Sequence, residues 1–426
     1  MQLLLLFIAV ALPCWYGYRR SVAQGLVEIN HVTTFSFGFL FYWITPLAVR
    51  VLAPKTDFPL AKLWAQWFRE SFITPYALSC IALYLCFVLG DSIAARRFRQ
   101  VPARVLTTVP RTVLTLVTAF ACALMLYSGY VMRADLFRPA EPGLMQVGVA
   151  RGAVTACVIL LGCVALMYSL AHADIPWRKL LMSGFFLPLL AGGALMIALG
   201  SRLYVASLLL MFAIYQTTFR SRFKLRTVVA AGLLCALLFG LVGTWREGSS
   251  ASGAFFNVFL EPMEGSLSLV HHLRYKGIAW TNYPDLLLSH FVNLVPTLLL
   301  PNKVSLLKKA DAYGPLGGLH SFVSFNLNFG LLGTAVFWLL WPMMFRYFRS
   351  RMSGTLFATM YVMCSGWLAF TFFRDPFSIS LVKLIFEDSI IFPVLIVAFG
   401  KLLSAACAPP DEARVLPPQS QGGEAW

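Results

Sequence analysis

Residues 73–90 read ITPYALSCIALYLCFVLG, 18 positions without one charged side chain. A helix rises about 1.5 Å per residue, so such a run covers the roughly 30 Å hydrocarbon core of a bilayer. The run does not alternate in period two, which argues against a barrel strand. Similar runs recur along the chain, at about 2–18, 31–53, 110–130, 150–170, 183–199, 203–219, 227–245, 321–342, 355–373 and 384–402. The expectation is an all-α integral membrane protein of about eleven transmembrane helices. Composition agrees: 59% of residues are hydrophobic and 12% charged, against about 25% charged in an ordinary soluble domain.

The net charge of +16 points to lipid head groups and to orientation, and away from nucleic acid. Alternating the predicted spans places 18 of the 34 Lys+Arg on one side, counting short loops and the tail. The short loops of the other side hold 10. The positive-inside rule makes the basic side cytoplasmic, with the N-terminus periplasmic and the C-terminus cytoplasmic. The first run lacks a basic n-region and a cleavage site, and Arg19-Arg20 follow it, so it reads as a retained span. The cysteines lie mostly inside apolar runs without metal-site spacing and read as small hydrophobes. Residues 1–402 therefore form one polytopic membrane domain, and 403–426, rich in proline and glycine, a disordered cytoplasmic tail.

The exception to this pattern is 245–330, the only long interval that is not a simple span. It holds four of the six histidines and places a long loop, 246–320, on the outer side. The loop at 54–72 mixes tryptophan with charge and suits the membrane interface. Pro262 suits a helix start. From there Met263, Leu267, Val270 and Leu273 share one stripe, and Glu264, Ser268, His271 and Tyr275 the other. Residues 286–301 are apolar but broken by His290, Asn293 and Pro296, as in a surface-lying helix. His271-His272 has no second ligand pair, so no metal site is expected.

Three arginines fall at one level on the outer side: Arg202 in Gly200-Ser201-Arg202-Leu203-Tyr204, Arg246, and Arg374 in Phe373-Arg374-Asp375. Guanidinium forks match phosphate oxygens, so the trio suits a multiply charged phosphate. Each arginine alone also reads as a snorkelling anchor. Glu247, Glu261 and His320 lie near that level as candidate general bases. Each also has a structural alternative, as an ion-pair partner or an interface histidine. No Asp-x-Asp and no glycine-rich phosphate loop is present, which argues against a metal-clamped nucleotide-sugar donor. Ionisable residues inside the predicted spans are few, which argues against an ion-coupled transporter.

Gly200-Ser201-Arg202, Arg246 after the next span, Gly317-Gly318-Leu319-His320-Ser321-Phe322, Asn328-Phe329-Gly330-Leu331-Leu332-Gly333 and Phe373-Arg374-Asp375 together resemble the Wzy-type O-antigen polymerases of bacterial inner membranes. The resemblance covers roughly 190–400. It implies a GT-C-like, multi-span glycosyltransferase with a periplasmic site and no cofactor, acting on undecaprenyl-diphosphate-linked glycan beside a flippase and a chain-length regulator. Arg202, Arg246 and Arg374 would hold the diphosphate, and Tyr204, Asn326 and Asn328 the glycan. Glu247, Glu261 or His320 would take the acceptor proton. An O-antigen ligase and a transporter are the competing readings.

Overall fold

The apolar runs fold as helices because the bilayer offers their backbone no other hydrogen-bond partner. A computed structural model describes residues 1–52, 68–99, 107–133, 149–199, 201–247, 254–295 and 319–406, with single positions 105 and 300. Among the described residues, eight helices are long and apolar enough to cross a membrane: α1 (Gln2–Ser21), α2 (His31–Leu52), α3 (Glu70–Arg97), α4 (Arg111–Val131), α5 (Val149–Ala171, of which Gly152–Ala171 qualifies), α8 (Arg202–Arg220), α12 (Ser321–Ser350) and α15 (Ser378–Ala406). The chain is a multi-pass helical membrane protein.

The other three of the eleven expected runs also fold as helices, one unbroken and two in shorter pieces. The run at 183–199 becomes α6 (Trp177–Leu181) followed by the 13-residue α7 (Phe186–Ala198). The run at 227–245 is α9 (Leu225–Glu247), whose described apolar side chains are largely exposed. The run at 355–373 splits into α13 (Thr355–Trp367) and α14 (Thr371–Arg374). From Ala358 to Trp367 every side chain of α13 is buried, so this helix is the protein's core and not a lipid-facing span. The last helix is longer than its predicted run, starting at Ser378 and reaching Ala406, so the first four residues of the expected tail, 403–406, belong to it. Residues 407–426 and the 54–67 part of the loop expected at 54–72 lie outside the described residues, while Glu70 onward already belongs to α3.

Aromatic side chains fill the centre. Phe35, Phe39 and Trp43 recur every fourth position along α2 and are fully buried. Phe35 stacks on Phe87 of α3 at 3.9 Å, and Trp43 meets Trp338 of α12 at 4.8 Å. Asn30 caps α2, accepting from the Val32 and Thr33 amides at 3.0 and 3.2 Å. Helices α3 and α12 approach so closely that a Cβ at Gly90 would run into the Leu339 carbonyl; close helix contact through small residues is how membrane bundles gain dispersion energy.

Contacts between loops sort them onto two faces. On one, β1 (Val22–Ala23) and β2 (Leu26–Val27) pair with β3 (Phe223–Lys224), and Thr107 bridges to Gly354. These segments all belong to the basic side of the predicted topology. On the other face, Trp43 donates to Ser321 at 2.7 Å, Tyr76 donates to the Trp43 carbonyl at 2.9 Å, and Arg50 donates to the Phe68 carbonyl at 2.9 Å.

The 245–330 interval supplies α10 (Ala254–Tyr275) and α11 (Asp285–His290), the latter continued by a 3₁₀ turn at Phe291–Leu294. Pro262 does not start α10. It sits inside a helix that begins eight residues earlier. Met263, Leu267, Val270 and Leu273 are buried as one stripe, against α2 and α12. Ser268, expected on the polar side, is buried as well because it accepts the His320 amide at 2.8 Å.

Candidate functional site

Arg202 is the first residue of α8, half-buried after Ser201. Arg374 ends α14 and pairs with Asp375 at 2.9 Å, its side chain 31% exposed. The two helices pack against each other. Tyr204, two residues after Arg202, sets its ring edge-on to Trp367 at 5.9 Å. The helix that opens at Arg202 thus packs on the short helix that closes at Arg374, on the face away from the basic loops. A helix start and a guanidinium both attract an anion. Arg246 and Glu247 end α9 and Glu261 lies in α10, but these three side chains lie outside the described residues.

His320 caps α12. Its Nδ1 accepts the Phe322 amide at 3.2 Å and its Nε2–H donates to the Tyr42 carbonyl at 2.9 Å. Both ring nitrogens are therefore engaged in a fully buried place. Burial pushes its pKa down to about 4, partly opposed by the Tyr42 bond. The neutral ring joins the outer loop to α2.

Asn326 and Asn328 work on the same junction. Asn326 Oδ1 accepts from His272 Nε2 at 3.0 Å and the Ala279 amide at 3.0 Å, while its Nδ2 donates to the Ala279 carbonyl at 2.9 Å. Asn328 Oδ1 accepts the Leu287 amide at 2.6 Å, and its Nδ2 donates to Ser324 O at 2.7 Å. Burial lowers the pKa of His272, with the Asn326 bond opposing. Just beyond, α12 breaks at Gly330, which takes φ 64°. The next amides leave the helical pattern: Leu331 donates to Ala279 O at 2.8 Å and Leu332 to Trp280 O at 3.0 Å. The two asparagines and the break lash 279–287 to the membrane domain.

The sequence reading missed the largest charged cluster, which lies on the basic face. Asp91 is fully buried and takes Arg346 in a bidentate fork, at 2.6 and 2.8 Å. Tyr16 donates to it at 2.6 Å, and Arg20 and His31 reach it at 3.2 Å. Beside it Glu28 bridges Arg349 and Arg222, the latter at 2.8 Å. Asp91 stands one residue past the predicted 73–90 span. In fact α3 continues to Arg97 and α12 to Ser350, so both partners fall within long apolar helices. Asp388, also fully buried, lies within the last span.

Against known proteins, no family model, no curated protein and no solved structure matches this chain. The class that the fold defines is a polytopic helical membrane protein with an organised extramembrane junction on its less basic face.

Proposed function

We propose that this chain is a membrane glycosyltransferase that polymerises undecaprenyl-diphosphate-linked oligosaccharide repeat units, at the face carrying Arg202 and Arg374. The observation that supports the reading is the packing of α8, which starts at Arg202, on α14, which ends at Arg374. In this reading the fold is GT-C-like, the membrane is the bacterial inner membrane, and the basic face is cytoplasmic.

The two guanidinium groups, with Arg246 as a third, hold the donor's diphosphate and stabilise the charge that grows on it as it leaves. An acceptor hydroxyl oxygen attacks the anomeric carbon, the C–O bond to the diphosphate breaks, and the hydroxyl proton passes to a carboxylate. Because His320 uses both ring nitrogens on backbone groups, Glu247 or Glu261 is the proposed acceptor. Tyr204 offers an aromatic edge to the glycan. Asn326 and Asn328 support the site by holding the loop in place.

The full-length protein in vesicles, given lipid-diphosphate-linked repeat units, tests this by product length. The wild type extends the chain, and Arg202→Ala or Arg374→Ala slows extension about 10²-fold. Failure of the wild type to extend, or wild-type rates in both variants, overturns the reading. Transfer onto lipid A core but not onto a second repeat makes the protein a ligase. A transporter is the second reading, favoured by Asp91, Arg346 and Asp388 inside the apolar helices, where ionisable groups mark ion pathways.

A further inference from the structure

Asp388 differs from the other buried acids. Asp91 and Glu28 are each surrounded by guanidinium groups, as buried carboxylates require. Asp388 is 0% exposed, and neither of its oxygens has a hydrogen-bond partner among the described residues. It lies in the first half of α15, Ser378–Ile391, which is wound as a π-helix. That winding is rare and recurs at functional positions.

The surroundings are specific. Helix α15 packs on α5 and on the fully buried α13. Ser389, the next residue, accepts from Trp367 Nε1 at 3.0 Å and donates to the Leu384 carbonyl at 2.7 Å, which fixes the register of this turn. The ionisable groups that act on Asp388 are Lys383 and Glu387 on its own helix, and Cys163 facing it from α5. Cys364 of α13 reaches Ser389. The remaining neighbours of α15 carry Arg374 in α14 with Asp375 just after it, Asp285 and His290 in α11, and Arg111 and Cys122 in α4; Lys401 lies in the second half of α15 itself. Among the described residues, no guanidinium is paired with Asp388 as Arg346 is with Asp91.

An ionised carboxylate without a partner in this setting costs many kcal/mol by transfer arguments, whereas a neutral carboxyl fits. We propose that Asp388 is a proton-binding site of the membrane domain, loaded in the packed arrangement and exchanging its proton with water when the α5–α13–α15 contact opens. The step is O–H bond cleavage with the proton passing to water, and its reverse. No other reactant is needed. It stands apart from the glycosyltransferase reading, since it needs no glycan.

The test is infrared difference spectroscopy of the full chain in vesicles at neutral pH, wild type against Asp388→Asn, which is isosteric with the protonated acid. The expected result is a carboxylic-acid C=O band at the high-frequency, weakly hydrogen-bonded end, lost in Asp388→Asn and shifting in heavy water within minutes. Asp388→Glu restores a band at a shifted position, which keeps the test open if the Asn variant does not fold. Absence of the band in the wild type overturns the proposal. So does a band that never shifts in heavy water, because that marks a sealed structural acid.

Discussion

Asp91 and Arg346 hold each other in a place that would tolerate neither alone. Removing one partner of a buried pair typically costs about 3–5 kcal/mol, because the other charge is stranded. Arg346→Met should therefore lower the melting temperature in detergent far more than the double variant Asp91→Asn/Arg346→Met. Equal losses would show that the pair's charges are not coupled. His320 carries a second residue-scale prediction. Its folded pKa, about 4, lies below the ordinary 6.5, so the unfolded chain takes up protons first as pH falls. The stability held by the neutral ring is complete above about pH 6.5 and is lost as pH falls toward 4, by about 3 kcal/mol in all. Melting temperature should drop between pH 7 and pH 5, and the drop should shrink in His320→Gln. An equal drop in both proteins would assign the effect elsewhere.

At the scale of elements, the junction between the outer loop and α12 depends on one backbone geometry. Gly330 has φ 64°, and a Cβ there would approach the Thr281 backbone at 2.6 Å. Gly330→Ala should cost about 1–3 kcal/mol from backbone strain alone, and more from the clash. Asn326→Ala should free the 277–284 segment without that strain. Limited proteolysis would then cut this segment faster in both variants. Unchanged cutting in both would mean that the loop is held by other contacts. The sequence made part of this junction visible: Asn326, Asn328 and His320 stood out as polar residues around an apolar run. Their roles were not visible, because a side-chain amide reads the same whether it meets a sugar or a neighbouring loop. Pro262 misled in a similar way, since a helix start and an interior proline differ only in what precedes them.

For the whole molecule, hydropathy made the class legible and blurred the span count. Runs such as 73–90 announce membrane helices by length, while α13 is as apolar as a span and yet is buried on all sides by protein. The charge network stayed hidden for a related reason. Asp91 and Arg346 are 255 positions apart, and only the packing of α3 on α12 turns two charges outside the predicted spans into one buried pair. The two-faced arrangement predicts that Arg99→Cys and Arg351→Cys are labelled by an impermeant thiol reagent from one side, and Lys276→Cys from the other. Labelling of all three from a single side would refute the topology.

The central claim is that Arg202 and Arg374 serve a lipid-diphosphate site. Glycan length on cells carrying Arg202→Ala or Arg374→Ala, with protein level in the membrane followed in parallel, tests it most directly. The account predicts collapse of the ladder to a single repeat while the protein stays in the membrane. A full-length ladder in both variants would contradict it and leave the two arginines as membrane anchors.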